Sequence, residues 1–216
     1  MAKSTVYFTN EITPEAVLKM YRQLGVELPG KVAVKVHSGE DGNQNFLRPA
    51  FMKPVIDAVH GTVVECNTAY GGARNETPKH VQLMKKHGWS DLFDVDIMDA
   101  EGPDVVWPVK NGKVLHDNLL GKNIENYDSM LVLIHFKGHP MGGYGGALKQ
   151  LSIGCASSAA DGSSIKINSG SRVKIPAMDA NFFCPPESRY TGRSAQSSMC
   201  TCCKARRVRA ATSSGG

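Results

Sequence analysis

The sequence predicts an α/β domain over residues 1–158, a mostly parallel sheet with helices on both faces, followed by a Ser/Gly/Arg-rich tail over 159–216. Three observations carry this. Short apolar runs alternate with stretches whose apolar residues recur at helical spacing, as in successive βαβ units. Polar, glycine-bearing loops follow the apolar runs. From Ser157 onward Ser, Gly, Ala and Arg dominate and periodicity fades, a composition expected to be disordered, or to result from a shifted reading frame, and one that would truncate the sheet.

The elements follow in order. Thr5–Phe8 (TVYF) is a short strand candidate. Thr13 suits an N-cap, with Pro14 in the first turn, and Ala16, Val17, Met20, Tyr21 and Leu24 form an apolar face that Gly25 ends. Lys31–His37 (KVAVKVH) reads as a strand, and Ser38–Asn45 as a loop. Arg48–His60 reads as a helix in which Pro54 marks a kink or a late start. Thr62–Asn67 (TVVECN) is the next strand, Thr68–Asn75 a loop, and Thr77–His87 a helix capped by Thr77. Phe93–Met98 is a further strand. Asp104–Val109 and Lys113–Leu115 are expected to pair across Asn111-Gly112. Ser129–His135 (SMLVLIH), almost wholly apolar, should be the most buried strand, followed by a loop over Phe136–Gly146 and a helix from Gly146.

Hydrophobic residues make up 41% of the 216 and charged residues 21%, enough apolar weight for one large core, which excludes a wholly disordered chain. The longest apolar run, Met130–Ile134, is far short of a membrane span, and MAKSTVYFTNE lacks a signal-peptide core; a cytoplasmic location with no membrane partner is expected. The net charge of +5 is uneven. From Ser163 on there are nine Lys/Arg and two acids, while the rest has sixteen basic and eighteen acidic residues, which argues against nucleic acid as a partner of the whole chain.

Three loops each follow a strand at its C-terminal end. If those strands are neighbours, one mouth collects His37, Glu40, Asn43, Asn45, Asn67, Tyr70, Arg74, His135, Lys137, His139 and Lys149. The richest loop, HFKGHPMGGYGGALK, places five glycines within nine residues (Gly138, Gly142, Gly143, Gly145, Gly146). Glycine amides converging ahead of a helix, with Lys137 and Lys149 nearby, would suit a phosphate or carboxylate. Neither the Walker pattern nor the dinucleotide fingerprint fits. A cluster-free alternative uses His37, His135 and His139 at a metal or phosphate site. Cys155 is a candidate nucleophile or cluster ligand, and Cys200, Cys202 and Cys203 stand too close together for the usual two-residue gaps of iron–sulfur ligation.

VAVKVHSGEDGNQNFLRPAFMKPVIDAV, ECNTAYGGARN and LVLIHFKGHPMGGYGGALKQLSIGCASS together resemble the family of the domain of unknown function 362, commonly labelled uncharacterised Fe–S centre proteins, over about residues 31–158. The C-terminal part departs from the family's pattern, and the ferredoxin-type module of many relatives, with two four-Cys motifs, does not stand here. The resemblance implies an α/β domain with an iron–sulfur (4Fe–4S) association. In that reading the protein is redox-linked, Cys155, Cys200, Cys202 and Cys203 are thiolate ligands, and His135, His139 and Lys137 serve the chemistry. His37, Glu40, Asn67, Tyr70, Arg74, Gly142, Gly143, Gly145, Gly146 and Lys149 hold a small anionic ligand or cofactor, with a redox partner besides. The remaining alternative is a non-functional fragment of such a protein.

Overall fold

The computed structural model describes residues 5–101, 104–109, 111, 116–139 and 143–158. Helix α1 (Pro14–Gln23) begins as the sequence predicts: the Thr13 side chain accepts from the Ala16 N–H and Pro14 occupies the first turn. It leads to β1 (Val32–Lys35), α2 (Pro49–Ala58), β2 (Thr62–Glu65), α3 (Thr77–Lys86) and β3 (Val95–Ile97). A hairpin of β4 (Val105–Pro108) and β5 (Asp117–Leu120) follows, then a 3-10 turn over Lys122–Asn126 and β6 (Ser129–Val132). The strands β7 (Lys137–His139) and β8 (Gly143–Gly145) and the short α4 (Ala147–Leu151) complete the described elements.

The sheet is parallel throughout, in the order β3-β2-β1-β6. From the central β1 the chain winds outward through β2 and β3, then returns to β1's other side as β6. In an open parallel sheet, the ligand crevice opens where the winding reverses, at the C-terminal ends of the two strands astride the reversal. Here those strands are β1 and β6, so the loops after residues 35 and 132 stand at that position.

The two faces are covered differently. Val32 and Val34 of β1, Val36 just after it and Val63 of β2 pack with Met52, Ile56 and Val59 of the α2 region, with Met84 of α3 and with Trp89 beyond it, Val17 and Tyr21 of α1 joining them. On the other face Ala33, Val64, Cys66 and Met98 pack with Leu120 of β5 and with Cys155. α4 lies at the end of this second face, where Gln150 Oε1 accepts from Lys35 Nζ at 2.7 Å.

Several expectations are corrected. Thr5–Phe8 is not a strand: Val6 and Phe8 are about four-fifths exposed, and no strand pairs with them among the described residues. α2 already begins at Pro49, with Pro54 inside it, so Pro54 is not a late start. α3 is capped by Glu76 without a side-chain bond, and Thr77 lies within the helix, its Oγ1 taken by Asn67 Nδ2 at 2.9 Å. The hairpin forms across Asn111 (φ 60°), but the partner of β4 is Asp117–Leu120; Lys113–Leu115 lie outside the described residues. Among the described residues β6 is an edge strand of the sheet and only partly buried, whereas β1 is an interior strand and buried throughout. Apolar content alone does not distinguish the two, because it reports burial need and not position in the sheet. The Gly-rich loop is a small antiparallel hairpin pairing Lys137 with Gly145 and His139 with Gly143. The tail from 159 lies outside the described residues.

Candidate functional site

Two charged residues close the strands β1 and β2. Lys35 and Glu65 are each 1% exposed, a costly placement unless they are partnered. Glu65 Oε2 accepts from the Ser38 N–H at 3.2 Å, from the Ser38 hydroxyl and from His80 Nε2 of α3 at 3.0 Å; Oε1 accepts from Arg74 NH1 at 3.3 Å, and Lys35 Nζ stands 3.7 Å away. Lys35 Nζ also donates to Val36 O at 2.7 Å. Burial by itself pushes the Glu65 carboxyl up; Lys35, the His80 bond and Arg74 outweigh it and hold the group well below its ordinary value. One carboxylate therefore ties together β1, the loop after it, α3 and the loop after β2.

Arg74 extends this network outward. Its NH2 donates to Glu40 Oε1 and to the Tyr70 hydroxyl at 2.9 Å, and Tyr70 donates to Glu40 Oε1 at 3.0 Å. Burial opposes the charge on Arg74, but Glu65 and Glu40 together raise its pKa. Its Nε is buried without a partner among the described residues.

His37 lies two residues beyond Lys35. Its Nδ1 accepts from the Gly39 N–H at 3.1 Å. Burial lowers its pKa to about 4; Glu65 opposes the shift, while Arg74, Lys137 and Lys35 add to it. Burial and Lys137 also lower His135, and burial, Lys137 and Arg74 lower Lys149. The charged side chains acting on one another at this edge are thus the cations Lys35, Arg74, Lys137 and Lys149 and the carboxylates Glu40 and Glu65.

Residues after three strands act on one another here: His37 and Glu40 after β1, Tyr70 and Arg74 after β2, and Lys137 of β7 with Lys149 of α4; His135 is acted on by Lys137. Asn67 sits one layer deeper, its N–H donating to Asp99 Oδ1 at 2.7 Å and its Oδ1 3.2 Å from His80 Nδ1. Asn43 and Asn45 instead bond to each other in an exposed turn. Gly143 is exposed, and Gly145 and Gly146 are buried. The β7–β8 ladder that holds Gly143 and Gly145, and an α4 of only five residues, differ from an anion loop of converging amides. Gly142, Cys200, Cys202, Cys203 and the His139 side chain lie outside the described residues. Sequence reasoning missed Lys35, Ser38, Glu65, His80 and Gln150. The signal was present: a charge directly following apolar strand residues, as Lys35 follows Val34 and Glu65 follows Val64, implies a partner where it is buried.

Cys155 does not fit an open thiolate ligand as placed. It is 2% exposed and its Sγ donates to Gln150 O at 3.2 Å; burial raises its pKa, and Lys35 opposes the rise only in part. Cys66, in the same apolar cluster, is pushed up further by burial and by Asp99. Among the described residues no three His, Cys, Asp or Glu side chains converge as a metal-holding group. A surface depression of about 220 Å³ lies on the outer side of the 38–48 loop, lined by Gly42, Gln44, Phe46, Arg48, Lys86 and His87. Its groups satisfy one another: Phe46 is stacked on His87 at 4.2 Å and under Arg48 at 4.1 Å, and Lys86 pairs with Asp41.

No helix among the described residues is long and apolar enough to cross a membrane. No curated protein and no solved structure matches the chain. A family model does match, from residue 32 to residue 208, continuing fifty residues past the end of the resemblance read from the sequence. That match covers well over half of the 216 residues, and the chain belongs to the family described as domain of unknown function (DUF362).

Proposed function

We propose that this protein binds a small anionic ligand, bearing phosphate or carboxylate, at the C-terminal edge of its parallel sheet between β1 and β6. One observation carries the reading: Lys35, Arg74 and Lys137 act on His37, Lys149 lies within reach of Lys137 and Arg74, and these four cations from four segments of the chain are set against the two carboxylates Glu40 and Glu65. Like charges held together in a partly desolvated place repel, and an anion relieves the repulsion. Glu65 and Arg74 position the loops, while Lys137 and Lys149 give the ligand its charge-assisted contacts. His135, kept below its ordinary pKa by burial and Lys137, is neutral near pH 7 and available to accept a proton from the bound ligand. Of the four cysteines that the iron–sulfur reading assigns as ligands, Cys155 alone lies among the described residues, and it is buried.

Calorimetric titration of the full chain with inorganic phosphate and with succinate tests this. Binding of at least one is expected, with Lys137→Ala and Lys149→Ala each weakening it roughly tenfold, the scale of one charge-assisted bond, and added salt weakening it further. Lys53→Ala, on the exposed face of α2 in a pair with Asp57, should leave it unchanged. Absence of binding by both probes, or equal affinities in wild type and the two lysine variants, would overturn the proposal.

A further inference from the structure

We infer that His37 is a fixed hydrogen-bond donor to the anion through Nε2–H, and neither a proton acceptor nor a metal ligand; this rests on the anion-binding reading above. The argument is geometric. A backbone N–H can only donate, and the Gly39 N–H is directed at His37 Nδ1 at 3.1 Å. Nδ1 must therefore present its lone pair, and in a neutral imidazole the one ring proton is then on Nε2. The lone pair that a metal or a departing proton would need at Nε2 is absent in this tautomer.

The backbone fixes the arrangement. Gly39 has φ +98°, a conformation L side chains rarely adopt, and a Cβ there would come within 2.7 Å of the Phe46 ring. The turn that aims the amide at Nδ1 is thus tied to glycine and to the packing of Phe46 on His87. His87 Nδ1 in turn bonds Ser38 O at 2.8 Å, and Ser38 is held by Glu65. His37 Nε2 has no partner among the described residues, on a ring that is only partly buried. The groups that face the ring are Lys35 at the end of β1, Glu65 and Arg74 from β2 and the loop after it, Lys137 of β7, and Glu40 on its own loop. Three of these are cations, so a second ring proton is disfavoured and the neutral tautomer persists near pH 7. A neutral donor adds direction to the field of the lysines: it selects an acceptor oxygen at one place without adding charge.

Long-range proton–nitrogen correlation spectra of the full chain, labelled at histidine, read the tautomer directly. The expected result is an Nε2–H signature for His37, with and without inorganic phosphate. Phosphate affinity is then compared across His37→Gln, whose amide nitrogen replaces Nε2, and His37→Asn, whose amide replaces Nδ1. Retention within about threefold in the first and a loss of about tenfold or more in the second supports the assignment. An Nδ1–H signature, or equal affinities in the two variants, overturns it while leaving the anion site standing. If wild-type protein binds neither phosphate nor succinate, the anion site itself falls and the donor role falls with it. The tautomer is read on wild-type protein, so a variant that fails to fold does not block the test.

Discussion

Glu65→Gln isolates the charge of the buried carboxylate from its volume. In the native protein Glu65 accepts from the Ser38 amide and hydroxyl, His80 and Arg74, and stands 3.7 Å from Lys35. Both of its cationic neighbours are almost wholly buried, Lys35 at 1% and Arg74 at 5% exposure. Removing one partner from a buried charge pair costs about 3–5 kcal/mol, because the remaining charge is left uncompensated. Arg74 keeps Glu40 and Tyr70, and Lys35 keeps Gln150 and the Val36 carbonyl, so the lower end of that range is expected, about 3 kcal/mol. Against a typical domain stability of about 5–15 kcal/mol this is a large fraction, measurable as a lowered urea midpoint at unchanged slope. The pH dependence has a definite sign. A carboxyl held below its ordinary value of 4.5 contributes stability that is present above that value and lost as pH falls through its folded value. Wild type should therefore lose stability on acidification below about pH 4.5, and Glu65→Gln should lose less. A midpoint shift equivalent to under about 1 kcal/mol at pH 7, or an acid limb identical in the two proteins, would refute the claim that Glu65 is the charged centre of this network.

Three further outcomes follow from the same geometry. His37 has its pKa lowered to about 4 in the folded protein against 6.5 when exposed, so its contribution to stability is present above pH 6.5 and lost as pH falls toward 4. The decline between pH 6.5 and 5, ahead of the carboxylates and with a ceiling of about 3 kcal/mol over the whole window, should vanish in His37→Gln; an unchanged limb would contradict it. Gly39→Ala forces a Cβ against Phe46 in a left-handed turn and should cost on the order of 1–3 kcal/mol while weakening the His37 bond; wild-type stability in that variant would show the turn to be tolerant. Cys66 and Cys155, both buried with raised thiol pKa values, should resist alkylation at pH 8 in the folded protein and react once it is unfolded, as mapped by peptide mass spectrometry. Labelling of either at the rate of a free thiol would disprove their enclosure.

The alternation of apolar runs and helical faces was enough to place β1, β2, β3, β6 and the helices α1–α3, because parallel strands covered by crossover helices must be apolar and the helices must be amphipathic. The reversal of winding between β1 and β6 could not be read, since strand order leaves no local trace. That reversal is what brings the loops of His37 and Lys137 together. Thr5–Phe8 has strand-forming residues but no partner among the described residues, and local propensity says nothing about partners. The glycines of 138–146 were read as an anion loop because glycine permits many backbones; here they allow a tight hairpin, with Gly143 at φ +66°. Lys35 and Glu65 were overlooked as charges inside strands that were otherwise convincing.

The placement of Lys35 and Glu65 has a physical logic of its own. A buried ion pair adds little net stability, since desolvating the charges costs about as much as their attraction returns, and apolar residues of similar volume are often as stable or more so. A fold needing only a core would fill positions 35 and 65 with valine or leucine, as it does at Val34 and Val64 on either side. Instead a lysine and a glutamate stand there, joined by Arg74 and His80, at the end of the sheet where the winding reverses. Stability alone gives no reason for that placement. It does fix in space the turn after β1 and the loop after β2, through Ser38 and Arg74, and with Lys137 and Lys149 it leaves cations in excess over carboxylates at this edge. An ionic layer that adds little to stability but sets the position and charge of two loops is what a binding site requires of the residues beneath it.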